Sequence, residues 1–192
     1  MMLPLEKFVY PLTSYHPAPN HDAVLVLGDS QGGKSNLVSQ FAEGVFDANS
    51  QPTMGIKPTY KFTQCNSKTI KAAIWDIAGL EKYRSNGITR YHESVGALVV
   101  YDVTSRQSFE NAARWLGEVR DHAEPDTVTM LVGNKTDLKN RRVVKAEEGR
   151  KFARENKTLF VETSALDKSQ VDLAFQKLLN GIYKQQCTDR QQ

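Results

Sequence analysis

Residues 28–35, Gly-Asp-Ser-Gln-Gly-Gly-Lys-Ser, have the types and spacing of a phosphate-binding loop. In a G-x-x-x-x-G-K-S loop the backbone N–H groups surround phosphate oxygens, the lysine reaches the outer phosphates, and the last hydroxyl binds Mg²⁺. The sequence therefore predicts Lys34 as a charge-stabilising residue and Ser35 as a metal ligand. The other predicted nucleotide contacts of this segment are Ser30, Gln31, Gly32, Gly33 and Asn36.

Two later residues could complete a magnesium site. Asp76 follows a strand-like run, where a carboxylate downstream of a phosphate loop is the second Mg²⁺ element, and Gly79 leaves room for a backbone N–H beside a γ-phosphate. Thr53 could add a third metal ligand and contact the γ-phosphate, in a loop that orders when that phosphate is present. Taken alone, Asp76 could equally cap a turn and Thr53 could be an ordinary loop residue. The phosphate loop favours the metal roles.

Residues 134–137, Asn-Lys-Thr-Asp, follow another apolar run and point to guanine as the base. Asp137 can accept hydrogen bonds from the ring N–H and the exocyclic amine of guanine, whereas adenine would leave this carboxylate unpaired. Asn134 is also predicted to bind the nucleotide, and the stem of Lys135 is expected to lie over the base. Backbone N–H groups of Ser164, Ala165 and Leu166 are expected near the guanine oxygen. Phe46 could pack edge-on against the base.

Alternating strand and helix patterns are expected to position these residues. The fold class predicted is an α/β P-loop NTPase with a six-stranded, mostly parallel sheet, one antiparallel edge strand, and about five helices on both faces. In such a sheet, ligands bind beyond the carboxyl ends of the strands. The predicted strands include residues 23–27, 97–101 and 128–132, a hairpin joins residues 60–62 to 70–74, and apolar helical faces cover residues 37–41, 109–123 and 171–182.

Length and composition favour one globular domain. The 192 residues divide into an irregular N-terminal extension (1–20), a domain (21–185) and a flexible C-terminal tail (186–192). Lysines and arginines are scattered among acids at a net charge of +3, which argues against nucleic acid as a partner. The two cysteines, Cys65 and Cys187, have no metal-site spacing and suit a reducing compartment. No apolar run approaches the roughly 18 residues of a membrane span.

The motifs together resemble the Rab branch of the small GTPases. The resemblance covers about residues 21–185 and rests on G-D-S-x-x-G-K-S, Thr53, W-D-x-A-G, G-N-K-T-D and E-T-S-A-L, with a closest likeness to Rabs of recycling endosomes. It implies a GTP/GDP switch in vesicular membrane traffic that binds GTP with Mg²⁺. It also implies effectors, an exchange factor and a GTPase activator at two switch regions, Thr53 to Pro58 and Trp75 to Tyr91, and a cytoplasmic location that includes endomembrane vesicles.

The implied catalytic set is Lys34, Thr53, Gly79 and the residue at position 80, and the last departs from the family. Leu80 stands where the family has a glutamine that orients the attacking water, so we expect slow GTP hydrolysis. A naturally slow switch and an engineered, activated form both agree with Leu80, as does a GTP-bound recognition module without meaningful GTPase activity. Gln31 replaces a small residue at a position that often needs a positive φ, where its long side chain adds strain.

The implied partner surface and the C-terminus also depart from the family. Rabs usually present a phenylalanine, a tryptophan and a tyrosine at the positions that here carry Pro58, Trp75 and Arg90, so partners of typical Rabs are expected to bind poorly. Cys187 is followed by five residues, which is no prenylation motif, so membrane binding is expected only after lipidation. A truncated chain and an unlipidated protein both agree with this C-terminal sequence.

For the function as a whole, a nucleotide-free scaffold and a small-molecule P-loop kinase are the remaining alternatives.

Overall fold

The computed structural model describes residues 23–51, 53, 56–65, 68–77 and 88–189. The six strands within these residues are β1 Ala23–Leu27, β2 Ile56–Cys65, β3 Lys68–Ile77, β4 Ser94–Asp102, β5 Val128–Asn134 and β6 Leu159–Glu162. They form one sheet in the order β2-β3-β1-β4-β5-β6. Only β2 runs antiparallel to its neighbour, so the predicted mostly parallel sheet with one antiparallel edge strand is confirmed.

Burial explains which strands lie at the centre of the sheet. Every residue of β1 is buried, as expected for a continuous apolar run with helices on both faces. In β2, by contrast, exposed residues alternate with half-buried ones, so one face of this edge strand meets solvent. The predicted hairpin is confirmed, because β2 pairs with β3 in a register that places Tyr60 opposite Ala73 and Pro58 opposite Trp75.

Helices cover both faces of the sheet and create two apolar cores. The five α-helices in the described part of the chain are α1 Lys34–Glu43, α2 Ile88–His92, α3 Arg106–His122, α4 Ala146–Glu155 and α5 Val171–Asp189. Helices α1 and α5 share one core, in which the rings of Phe41 and Phe175 stack with centroids 4.0 Å apart. Helices α2, α3 and α4 share the other, where Trp115 is buried.

The structure describes the C-terminal limit of the predicted domain but not its N-terminal extension. Helix α5 continues to Asp189, into the segment that the sequence analysis assigned to a flexible tail. The predicted N-terminal extension lies outside the described residues, as do residues 190–192. No described helix combines the length and the apolar character that crossing a membrane requires.

The topology brings the predicted site residues to one end of the sheet. Strands β1, β3, β4, β5 and β6 run parallel, so their carboxyl ends lie on the same side. The phosphate loop follows β1, Asp76 lies near the end of β3, Asn134 ends β5, and Thr163 follows β6. The carboxyl edge is where open α/β sheets bind ligands.

Candidate functional site

The phosphate loop joins β1 to α1 and has a positive φ both at a glycine, which adopts it readily, and at a non-glycine residue, which does not. Gly33 has a φ of 86° at the start of α1, and an added Cβ would lie 2.5 Å from the Asn134 amide nitrogen. Gln31 has a φ of 65°, which confirms the predicted left-handed conformation. A non-glycine residue there stores strain of about 1 kcal/mol. The loop therefore tolerates local strain where its backbone must curve around an anion.

Lys34 is almost completely buried beneath this loop. Its Nζ donates to the carbonyl oxygens of Gly28 at 2.9 Å and Asp29 at 3.0 Å. Burial lowers the pKa of Lys34, and the nearby carboxylates of Asp76 and Asp29 oppose that shift. The loop carbonyls thus hold the ammonium group at the base of the phosphate cradle, where an incoming phosphate would lie.

The three predicted metal ligands lie within hydrogen-bonding distance of one another. The Ser35 hydroxyl donates to Asp76 Oδ2 at 2.5 Å and lies 2.7 Å from Thr53 Oγ1. Thr53 Oγ1 also donates to Asp76 Oδ2 at 3.2 Å. Two hydroxyls and one carboxylate are hard oxygen ligands that suit Mg²⁺ completed by phosphate and water oxygens. The described residues offer no cluster of three or more acidic, histidine or cysteine side chains as another metal site.

Asn134 connects three segments that surround the candidate base pocket. Its Nδ2 donates to Gly32 O at 3.0 Å, and its Oδ1 accepts from Ala165 N and from Thr163 Oγ1, both at 3.2 Å. The side chain is fully buried. These bonds brace the phosphate loop and the segment after β6. Asn134 also lines the pocket, and its predicted contact with the nucleotide stays a prediction.

The neighbouring residues Lys135 and Asp137 are held by specific partners. Lys135 Nζ donates to Gln31 O at 2.7 Å and forms an ion pair with Asp102 Oδ2 at 2.7 Å. Ser164 Oγ donates to Asp137 Oδ1 at 2.6 Å. These contacts fix the lysine stem along one wall of the pocket and orient the carboxylate that is expected to bind guanine.

The loop of residues 45–51 closes the opposite side of the pocket. Asn36 holds it through three hydrogen bonds, because its amide pairs with both the N–H and the C=O of Asp47 at 2.9 Å, and also donates to Ser50 Oγ at 3.2 Å. Phe46, on the same loop, lines the pocket and is 36% exposed. Asn36 therefore acts on this loop in addition to lining the pocket.

These walls enclose a cavity of about 590 Å³. The lining contains most of the predicted nucleotide contacts: Ser30, Gln31, Gly33, Lys34, Ser35, Asn36, Phe46, Thr53, Asn134, Lys135, Asp137, Ala165 and Leu166. Gly32, Asp76 and Ser164 stand behind the lining and contact it. Gly79 and Leu80 lie outside the described residues, so their predicted roles stay predictions.

Sequence reasoning missed several contributors to the site. Ala48, Ser50, Gln51 and Leu138 also line the cavity. Gln40 is buried on α1 and donates through Nε2 to Ala165 O at 2.8 Å, which anchors the segment after β6. A polar residue on the apolar face of a predicted helix was the available signal for Gln40, since buried amides need partners. No local pattern identifies the others, because they meet the pocket only through tertiary folding.

The chain was compared with models of known protein families. Residues 23–184 match the Ras family. The matched segment contains every described site residue, from the phosphate loop after β1 to Leu166 beyond β6.

Proposed function

The chain belongs to the Ras family of small GTPases, and from this premise we propose a Rab-type switch in vesicular membrane traffic. Family membership makes the protein a GTP-binding molecular switch with GTP or GDP as its ligand. The Rab type is supported by the combination of the W-D-x-A-G and E-T-S-A-L segments with Thr53 and the phosphate loop.

The observation that carries guanine recognition is the contact between Asp137 and Ser164. Ser164 Oγ donates to one carboxylate oxygen at 2.6 Å and so fixes the orientation of Asp137 at the pocket wall. An oriented carboxylate can accept both donors on the edge of guanine, whereas adenine presents no such pair. The charge also makes the discrimination strong, because a buried carboxylate without its donors is costly.

The phosphate end of the pocket supports binding of a triphosphate with Mg²⁺. Ser35, Thr53 and Asp76 would hold the metal, which when bound supplies positive charge to the phosphate oxygens. Lys34 stabilises negative charge on the outer phosphates from its position at the base of the cradle. Phosphoryl transfer relies mainly on such positioning and charge stabilisation.

We propose that hydrolysis at this site is slow. Leucine at position 80 has no donor or acceptor with which to orient an attacking water. A second reading, a GTP-bound recognition module whose hydrolysis hardly matters, is favoured by the same residue.

The bound nucleotide tests the proposal directly. The purified protein would be denatured and the released nucleotide identified by anion-exchange chromatography. Mostly GTP is the expected result and supports slow hydrolysis. Mostly GDP would contradict slow hydrolysis unless binding assays show selective GDP retention. Absence of nucleotide would favour the alternative that the protein is a nucleotide-free scaffold.

A single-turnover assay separates the switch from the recognition module. The Leu80→Gln variant would be loaded with GTP and compared with the parent protein. We expect the glutamine to accelerate hydrolysis strongly if the remaining catalytic frame is intact. An unchanged rate would favour the recognition module, because the rest of the site would then not be catalytic.

The proposed partner surface near β2 and β3 differs from that of typical Rabs. The Arg90 guanidinium lies 4.5 Å from the centre of the Trp75 ring and forms an ion pair with Glu93 at 2.6 Å. Pro58 is exposed beside Trp75 on β2. A cation therefore covers the aromatic ring, which disfavours partners that pack apolar groups there.

Reverting two residues tests this account of partner choice. The Pro58→Phe, Arg90→Tyr double variant should gain binding to effectors of recycling-endosome Rabs in the GTP state, measured by titration calorimetry. The parent protein serves as the control. Tight binding by the parent, or no gain in the double variant, would contradict the proposed role of these two residues.

A further inference from the structure

The phosphate loop carries an acidic residue, Asp29, close to the site where anionic phosphates bind. A carboxylate at such a position repels phosphate unless its charge is directed elsewhere and compensated. In this structure the main chain and the side chain of Asp29 face different partners. Its carbonyl oxygen accepts from Lys34 Nζ at 3.0 Å and from Gly32 N at 3.2 Å, on the side of the cradle.

The carboxylate of Asp29 is bound instead by helix α3. Asn111 Nδ2 donates to Oδ2 at 2.7 Å, and Trp115 Nε1 donates to Oδ1 at 2.9 Å. The Arg114 guanidinium lies 3.9 Å from Oδ1. Positions 111, 114 and 115 lie one turn apart on a helix, so these donors share one face that is turned toward the loop.

The donors themselves are held in place. Trp115 is 1% exposed and belongs to the core between α3 and the sheet. Gln107 Nε2 donates to Asn111 Oδ1 at 3.1 Å, which leaves the Asn111 NH₂ group directed at Asp29. Ser105 caps the start of α3 by accepting from Ser108 N. The carboxylate is thus attached to a rigid element rather than to a mobile side chain.

We propose that Asn111 and Trp115 are positioning residues for nucleotide binding, which hold the Asp29 carboxylate away from the phosphates. They also fix the Asp29 carbonyl that seats the Lys34 ammonium group. If these donors are lost, the carboxylate is free to turn toward the cradle and the seat of Lys34 loosens. The inference requires that the loop binds nucleotide phosphate, which family membership supports, and does not require the Rab type or slow hydrolysis.

The test removes the donors and then removes the charge. Asn111→Leu keeps side-chain bulk and Trp115→Phe keeps an aromatic ring in the core, and together they delete both donors. The Asp29→Ala change is added in a triple variant. The measured quantity is the dissociation rate of fluorescently labelled GDP in Mg²⁺, at low and high salt. Glu110→Ala is the matched control, because Glu110 lies on the same helix and is exposed.

We expect the double variant to release GDP roughly tenfold faster, because the freed Asp29 carboxylate can then turn toward the phosphates and repel them. The acceleration should shrink at high salt, but only in part, because the Asp29 side chain is 21% exposed and salt screens partly buried charges less than exposed ones. The triple variant should recover at least half of the loss on a logarithmic scale. A purely structural role for Trp115 predicts neither the salt dependence nor the rescue.

Two results would overturn the proposal. The first is wild-type release of GDP by the double variant, and the second is a triple variant that is no better than the double. If Trp115→Phe fails to fold, Asn111→Leu with and without Asp29→Ala gives the same comparison with the core intact. A protein that bound no nucleotide even in its parent form would refute nucleotide binding itself, a distinct outcome.

Discussion

Removing the Asn36 side chain should release the loop that closes the nucleotide pocket. The Asn36→Ala change deletes three hydrogen bonds, two to the backbone of Asp47 and one to Ser50. The loop that they hold contributes Phe46 and Gln51 to the pocket wall. Since a ligand enclosed by a loop leaves when that loop opens, the dissociation rate should follow the stability of the closed loop.

The expected magnitude follows from the number and exposure of these bonds. A hydrogen bond contributes about 0.5–1.5 kcal/mol net, and these three are exposed, so values near the lower limit apply. Their sum is about 1.5 kcal/mol. Because 1.4 kcal/mol corresponds to a factor of ten, GDP should dissociate about tenfold faster, with a smaller change in the association rate.

The assay is displacement of a fluorescent guanine nucleotide by excess unlabelled GDP at fixed Mg²⁺. Asn49→Ala is the control in the same loop, because the contact of Asn49 with Asp47 is made by its backbone N–H. Wild-type dissociation from Asn36→Ala would refute the reasoning. Equal acceleration by Asn49→Ala would show that general loosening of the loop, rather than the Asn36 bonds, controls release.

Three further predictions concern the metal, the core and acid stability. Chelation of Mg²⁺ should accelerate GDP release by roughly tenfold or more in the parent protein. The Ser35→Ala variant lacks one proposed metal ligand, so its release rate should respond little to chelation. An equal response of the two proteins would contradict the assigned metal site. Tyr101→Phe should raise the free energy of unfolding by about 1 kcal/mol in urea titrations, because the buried Tyr101 hydroxyl has no hydrogen-bond partner among the described residues. A variant that is less stable than the parent protein would refute this prediction. The hydrogen bond from Arg106 lowers the pKa of Glu148 to about 2, so this carboxylate stabilises the fold above its ordinary pKa and loses that effect as the pH falls toward 2. Glu148→Gln should therefore lower the thermal midpoint at neutral pH, with a difference from the parent that narrows below about pH 4.5; a difference that is independent of pH would contradict the linkage.

Features of the site that depend on neighbouring residues were predictable from the sequence. The phosphate loop was recognised because its glycines, Lys34 and Ser35 lie within eight consecutive positions between a strand and a helix. The edge hairpin was predicted from alternation along β2 and β3, which the observed pairing confirms. Position 31 of such loops often needs a positive φ, and the φ of 65° at Gln31 agrees with that expectation.

Contacts between distant segments were decided by the tertiary structure. Asn134 bonds to Gly32 across 102 residues, and Trp115 bonds to Asp29 across 86. Gln40 and Ala165 are separated by 125 residues. The order of the strands in the sheet brings these pairs together, and no short window of the sequence contains both partners. The sequence alone therefore determined which chemical groups the site contains, because phosphate, metal and base each require particular residue types. Only the fold decided which partners orient them, because a hydrogen bond requires a distance near 3 Å that packing of the whole sheet sets.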